Sequence, residues 1–351
     1  MQHQYILRDT GEIVNERLIA DRIIGLLYNQ VREQAPRLFR ALTSERVSSV
    51  LGFLHFDLNL PMESRRGRRL LERMGVDWRE CLASHHSFTT PRQVFERQIR
   101  YWECRPLDPV PEAVAAPADA KVLIGSLAET PGLFIKGKFF SAEELLGDDL
   151  PWHPFFAGGD FAVFRLTPDK YHYNHLPVSG EVIDFYQIDG QYHSCNPGAQ
   201  IALASLHAKN RRVVTIIDTD VAGGSQVGLV AMIEVVALMI GDIVQCYSES
   251  GYDQPQPVAK GMRLVKGCPK SLYRPGSSTD ILLFQKEAVT FCDDLERNRS
   301  RRDVCSRFSL GLGRPLVETD VRVRSTIALK RQDARDSYPP SGMLQPCKLS
   351  I

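Results

Sequence analysis

From about residue 117 onward the chain is a series of short β-type runs, each cut off by Gly, Pro or Asp, and that series constrains the fold most. The runs are Val122-Leu123-Ile124, Leu133-Phe134-Ile135, Phe161-Ala162-Val163-Phe164, Val182-Ile183-Asp184-Phe185 and Val213-Val214-Thr215-Ile216-Ile217, then 227–236 and Ile281-Leu282-Leu283-Phe284. β-branched and aromatic residues bounded by turn formers predict strands. No helix alternates regularly with them and no Gly-rich phosphate loop follows one, which argues against a doubly wound nucleotide-binding fold. One helix is predicted over 141–146, with Ser141 as cap and Glu144 completing a capping box.

Before the series the pattern is helical. Over 15–40, Leu18, Ile19, Ile23, Ile24, Leu26, Leu27, Val31, Leu38 and Phe39 recur at mostly helical spacing. A second helix is predicted from the Thr43-Ser44-Glu45 cap to about Phe53, and a short one over 91–100. A Pro/Ala-rich connector ends at Ala116. The expectation is an α+β fold: a helical N-terminal region (1–110), a mostly antiparallel β body carrying the reactive site (111–330), and a flexible tail (331–351) containing Pro339-Pro340 and Gly342.

The 351 residues are 43% hydrophobic and 24% charged with a formal net charge of +1, ordinary for a soluble enzyme and no argument for nucleic acid. Eight scattered cysteines without a CxxC pair fit reduced thiols in a cytosolic protein better than disulfides or zinc. Met1-Gln2-His3-Gln4 opens no signal peptide. The apolar run 227–240 is interrupted by Glu234 and is too short to span a bilayer. Arg65, Arg66, Arg68, Arg69 and Arg73 read either as a solvated helix face or as a surface for anionic headgroups, each cation adding about 1 kcal/mol there. Membrane contact, if made, is peripheral, on the inner face of the cell membrane.

The polar clusters lie at the ends of β runs. Tyr171-His172-Tyr173-Asn174-His175-Leu176-Pro177 offers two histidines but no spacing that supplies a third ligand, so no metal is expected. Either histidine also reads as an ordinary half-buried residue bonded to backbone, and His193 and Cys195 read as loop packing. Gly276-Ser277-Ser278-Thr279 between two strands is ordinarily a hairpin loop. It is also what an N→O acyl shift needs: a hydroxyl beside a peptide bond in a segment that tolerates strained dihedrals.

Taken in order, the clusters resemble the phosphatidylserine decarboxylase family, over about Tyr5 to Ala328. Tyr5-Ile6-Leu7-Arg8-Asp9-Thr10-Gly11 and Leu51-Gly52-Phe53 are similar to the opening of its longer bacterial members. Val94-Phe95-Glu96-Arg97-Gln98 and Arg105-Pro106-Leu107 resemble its Phe-Phe-x-Arg and Arg-Pro-Ile. Ala116-Pro117-Ala118-Asp119-Ala120 resembles its Ser-Pro-Ala-Asp-Gly. Phe134-Ile135-Lys136-Gly137 and Glu144-Leu145-Leu146-Gly147 match its Ile-Lys-Gly and Leu-Leu-Gly, and Tyr171 to Pro177 its Tyr-His-x-x-His-x-Pro. Val265-Lys266-Gly267 through Phe284 matches its processing segment without a gap.

The resemblance implies a pyruvoyl enzyme made by autocatalytic serinolysis. Asp119 orients His175, His175 takes the proton from Ser278, and Ser278 becomes the covalent pyruvoyl cofactor, with neither metal nor pyridoxal phosphate. That carbonyl forms a Schiff base with the substrate amine and acts as electron sink while carbon dioxide leaves. His172 contacts substrate and handles the replacing proton. The cleaved chains, about 1–277 and 278–351, stay associated, and a homodimer is compatible.

The family has Gly before its reactive serine, where this chain has Ser277, a change costing about 1–3 kcal/mol if the scissile peptide is strained. The cut is expected between Ser277 and Ser278. The other register, between Gly276 and Ser277, shifts the following strand by one and flips its faces. Ala120 for Gly, Cys268-Pro269 and Leu272-Tyr273 are further departures. Three functions stay open: conversion of phosphatidylserine to phosphatidylethanolamine, decarboxylation of a soluble amino acid or specialised metabolite, and a processing-dead binding protein.

Overall fold

The computed structural model describes residues 2–18, 21–52, 71–72, 74–128, 141–148, 150–203, 205–238, 242–275 and 278–332. Outside them lie Gly276, Ser277, the arginines from Arg65 to Arg73, the run Leu133-Phe134-Ile135 and nearly all of the predicted tail.

Two strands open the chain, β1 (Gln4–Leu7) and β2 (Ile13–Asn15). After the N-terminal helices come β3 (Ala113–Ala115), β4 (Ala120–Ser126), β5 (Asp160–Leu166), β6 (Tyr173–His175), β7 (Gly180–Ile188) and β8 (Arg212–Asp218). Then follow β9 (Leu229–Val236), β10 (Ile243–Gln245), β11 (Arg263–Leu264), β12 (Pro269–Tyr273) and β13 (Ser278–Phe284). β14 (Val289–Phe291), β15 (Thr319–Val321) and β16 (Thr326–Lys330) complete the set. Ten of them form one sheet in the order β11-β7-β8-β9-β13-β5-β4-β15-β1-β2, flanked by two three-stranded sheets, β10-β12-β6 and β14-β16-β3. Among the described strands, β1 with β15 is the parallel pair and the others run antiparallel. The α+β expectation holds.

The N-terminal region differs from the pattern read off its apolar spacing. Its first 18 residues are not helical, because β1 and β2 add to the edge of the large sheet. A buried ion network fixes them there. Arg165 on β5 binds Glu16 at 2.6 Å and Glu318 at 2.6 Å, and His3 Nε2 lies 2.8 Å from Glu318. The helix expected from residue 15 begins at Asp21, passes through a π turn at Leu27–Val31 and breaks at Ala35. Pro36 causes the break, since the residue before a proline is pushed out of the helical region. Further helices follow at Pro36–Leu42 and Glu45–Gly52. Pro91–Phe95 has a full capping box from Thr90 and Gln93. At Ala142–Leu146 the Ser141 hydroxyl accepts from the Glu144 N–H.

β13 lies at the centre. Its period of two sends Leu282 and Phe284 to one face, with Val230, Met232 and Phe164, against Tyr273, Leu176 and Ile327 of the small-sheet side. Ile281 and Leu283 go to the other, with Ile233 and Val163, beneath Leu145, Phe156 and Phe308 of the covering helices. Each such side chain, fully buried, contributes about 1.5–3 kcal/mol. The link from β12 to β13 therefore passes from a small sheet into the middle of the large one. The candidate serine sits at that crossing.

Candidate active site

Ser278 is the first residue of β13, opposite Leu166 of β5 and Val236 of β9, and is 1% exposed. Its Oγ has no hydrogen-bond partner, and neither has the Oγ1 of Thr279. The preceding strand, β12, pairs with β6, and the Tyr273 N–H donates to the His172 carbonyl at 3.0 Å. The strand pairing thus joins the histidine motif to the segment leading into Ser278. Gly276 and Ser277 lie outside the described residues, so the two cleavage registers are not separated here.

His172 is fully buried, its ring stacked on Phe95 with centroids 3.5 Å apart, and neither ring nitrogen makes a well-formed hydrogen bond. Burial, and after it the Arg97 charge, push its pKa down to about 3. It is a neutral imidazole at physiological pH. Asn174 Oδ1 and Asp280 Oδ2 are further buried polar atoms without a partner. Native interiors leave few such atoms, and each calls for an explanation. Here they gather around β6 and the start of β13.

His175 is held on both sides. Its Nδ1 lies 2.8 Å from the Gly267 carbonyl and its Nε2 2.9 Å from the Tyr171 hydroxyl, which lies 2.7 Å from that of Tyr252. A carbonyl only accepts, so Nδ1 carries the hydrogen and Nε2 keeps its lone pair. Gly267 has φ +78°, and a Cβ there would come within 2.7 Å of Leu107, so only glycine presents this carbonyl without strain. Burial is the largest influence on His175 and pushes its pKa to about 3.

Asp119 reaches His175 through backbone and charge. The His175 N–H donates to the Pro117 carbonyl at 2.7 Å, and the Asp119 charge favours the imidazolium as a smaller influence than burial. The carboxylate itself accepts from Arg105 Nη2 at 2.7 Å and from the Val323 N–H at 2.8 Å. Arg105 in turn donates to Glu80 at 2.9 Å. Burial pushes Asp119 up, but Arg105 outweighs it and holds the carboxyl below its usual range.

Sequence reading did not reach one buried group. Glu234 on β9 lies directly opposite Asp280 on β13, both wholly buried. Lys270 donates to Glu234 at 2.6 Å, Ser271 also binds it, and Tyr273 Oη lies 2.7 Å from Asp280 Oδ1. The available signal was an acidic residue inside one apolar run, Glu234, and another at the head of a second, Asp280. Elsewhere, His3, Glu16 and Glu318 bring ligand atoms within 4.8 Å of one another. Arg165 binds both carboxylates, and His3 Nδ1 accepts from the Arg307 N–H at 3.1 Å, so the set is an ion network.

Fold and site, with their known counterparts, define an α+β enzyme of the carboxy-lyase class. The chain belongs to the phosphatidylserine decarboxylase family, whose model (Phosphatidylserine decarboxylase) matches residues 92–304, a span holding Asp119, His172, His175 and Ser278. It is 28% identical to a phosphatidylserine decarboxylase proenzyme of Ruminiclostridium cellulolyticum, over 82% of this chain and 89% of that one. A Fusobacterium nucleatum proenzyme of the same name is 27% identical over 85% and 93%. One from Azotobacter vinelandii is 32% identical over 55% and 68%.

Proposed function

We propose that the chain is a proenzyme that cuts itself between Ser277 and Ser278, and that the product decarboxylates phosphatidylserine to phosphatidylethanolamine. The unpartnered Ser278 Oγ, buried at the head of β13, carries this reading. The Oγ–H bond breaks as Oγ adds to the carbonyl carbon of residue 277, its proton passing to His175 Nε2 and on to the departing amide nitrogen. The resulting ester loses the Ser278 Cα proton and the carboxylate of residue 277. Water then releases the nitrogen as ammonia and leaves a pyruvoyl group on the new chain start. His175 suits the base role because its tautomer, fixed by Gly267, leaves Nε2 unprotonated; the Tyr171 hydroxyl, 2.9 Å from Nε2, must give way to the serine. Asp119 contributes its charge from behind Arg105.

The pyruvoyl group would supply an electron sink for loss of carboxylate from an amine-bearing acid. His172, neutral and beside β12, would pass the proton that takes the place of the carboxylate. Cytoplasmic and peripheral placement is part of the reading. Among the described residues no helix is long and apolar enough to cross a membrane. Ile23, Leu26, Leu38 and Val50 stand exposed on the first helices among Arg22, Arg37, Arg40 and Arg46, an apolar and basic surface suited to anionic lipid. Carbon dioxide release from phosphatidylserine vesicles tests the substrate. Release from free serine at an equal or higher rate would contradict it and favour the soluble-substrate alternative.

A further inference from the structure

Two carboxylates, Glu234 and Asp280, face each other across β9 and β13, both 0% exposed, with one buried ammonium, Lys270, bound to Glu234. Lys270 binds Glu234, where Ser271, Asn174 and Gln245 also donate. Asp280 is left with Tyr273. Two acids and one cation, closed off from water, need one proton to balance, because like charges so placed cannot both ionise.

Hydrogen counting puts that proton on Asp280. Tyr273 Oη lies 2.7 Å from Asp280 Oδ1 and 3.0 Å from the Thr279 carbonyl. A phenol has one hydrogen and cannot donate to both. If Asp280 is protonated, its O–H donates to the phenol oxygen and the phenol O–H donates to the Thr279 carbonyl. If it is ionised, the phenol hydrogen goes to the carboxylate and the Thr279 carbonyl loses that donor.

Placement gives the pair its role. Asp280 lies two residues beyond Ser278, so the two side chains share a face of β13, about 7 Å apart along the strand. Tyr273 lies before the candidate cut, and Thr279 and Asp280 lie after it. The Tyr273–Asp280 bond joins the two sides of the proposed cut and outlasts it.

We propose that Asp280, paired across the strands with Glu234 and clasped by Tyr273, is a positioning residue that holds Ser278 in register for the cut and holds the new chain start after it. This rests on the reading that Ser278 is the cut residue. Other titratable and charged groups facing the pair are Lys270 on β12 and Cys246, whose thiol is pushed up by burial and by Glu234. On the β5 side Asp280 meets Phe164. Burial, then Glu234, hold the Asp280 carboxyl well above the usual carboxylate range. Raising the pH through that shifted value therefore ionises Asp280 against Glu234 and loosens the clasp.

The test follows self-cleavage of freshly refolded full-length chain against pH. Asp280→Leu should slow the cut about tenfold, and Asp280→Asn, whose amide can donate to the phenol oxygen, should restore most of the rate. The wild-type rate should fall on the alkaline side, and Asp280→Asn should remove that fall. An unchanged rate in Asp280→Leu, or the same alkaline fall in Asp280→Asn, overturns the proposal. A second readout does not need cleavage. In the Ser278→Ala chain at neutral pH, the infrared carbonyl band of a protonated carboxylic acid should disappear on adding Asp280→Asn; an unaltered band overturns the clasp. An uncut wild-type chain would instead sink serinolysis and, with it, Asp280's part in the cut, and the infrared result tells the two failures apart.

Discussion

The His175 imidazole is oriented by the Gly267 carbonyl, 2.8 Å from its Nδ1. The carboxylate expected to do this, Asp119, is bound instead to Arg105 and Val323. Gly267 lies in the segment that leads into the candidate cut, so the proposed base is held by the chain it is proposed to cleave.

A pH dependence of stability follows from the buried histidines, His172 and His175 at the site and His193 and His207 elsewhere, whose pKa values burial pushes down. His172 and His175 both have pKa values pushed down to about 3. Between that value and the ordinary 6.5 the unfolded chain binds protons that the folded chain does not. The histidines' contribution to stability should therefore be level above about pH 6.5 and fall as the pH drops toward 3, by at most about 1.4 kcal/mol per pH unit for each histidine. Thermal melts of the Ser278→Ala chain between pH 4 and 8 check this. His172→Asn should shallow the fall, and an equal slope in both chains would contradict the neutral, buried assignment.

Asp119 titrates with the same sign, in a lower pH range. Its folded pKa lies below the unfolded value near 3.8, so Arg105 stabilises the chain above that pH and the contribution is lost as the pH falls through the folded value. Replacing Arg105 by Leu strands a buried carboxylate. It should cost about 3–5 kcal/mol at pH 7, read by urea denaturation of the Ser278→Ala chain. A loss below about 1 kcal/mol, the range of exposed pairs, would mean that Arg105 does not carry Asp119.

Much of this architecture was legible in the residues. The unbroken apolar run Ile281-Leu282-Leu283-Phe284 predicted a strand, and it is buried on both faces, while Ser141 caps its helix as the sequence predicts. β1 and β2 were not legible, because Tyr5, Ile6 and Val14 are few and what holds them lies far along the chain, β15 some 300 residues on and Arg165 about 150. Asp119, His172, His175 and Ser278 could be named from motif order. Glu234 with Asp280 could not, since one is a single acid within an apolar run, the other a single acid before one, and only strand register sets them face to face. Nor could Arg105's hold on Asp119 be read, as a bidentate pair leaves no periodic trace.

The central claim is a cut at Ser278, and intact-mass spectrometry of the purified chain tests it most directly. The account predicts two fragments, residues 1–277 and 278–351, the second beginning with a pyruvoyl group in place of serine. Ser278→Ala should stay whole and Ser277→Ala should still be cut. A single uncut wild-type chain, or a cut that Ser277→Ala abolishes and Ser278→Ala does not, would contradict it.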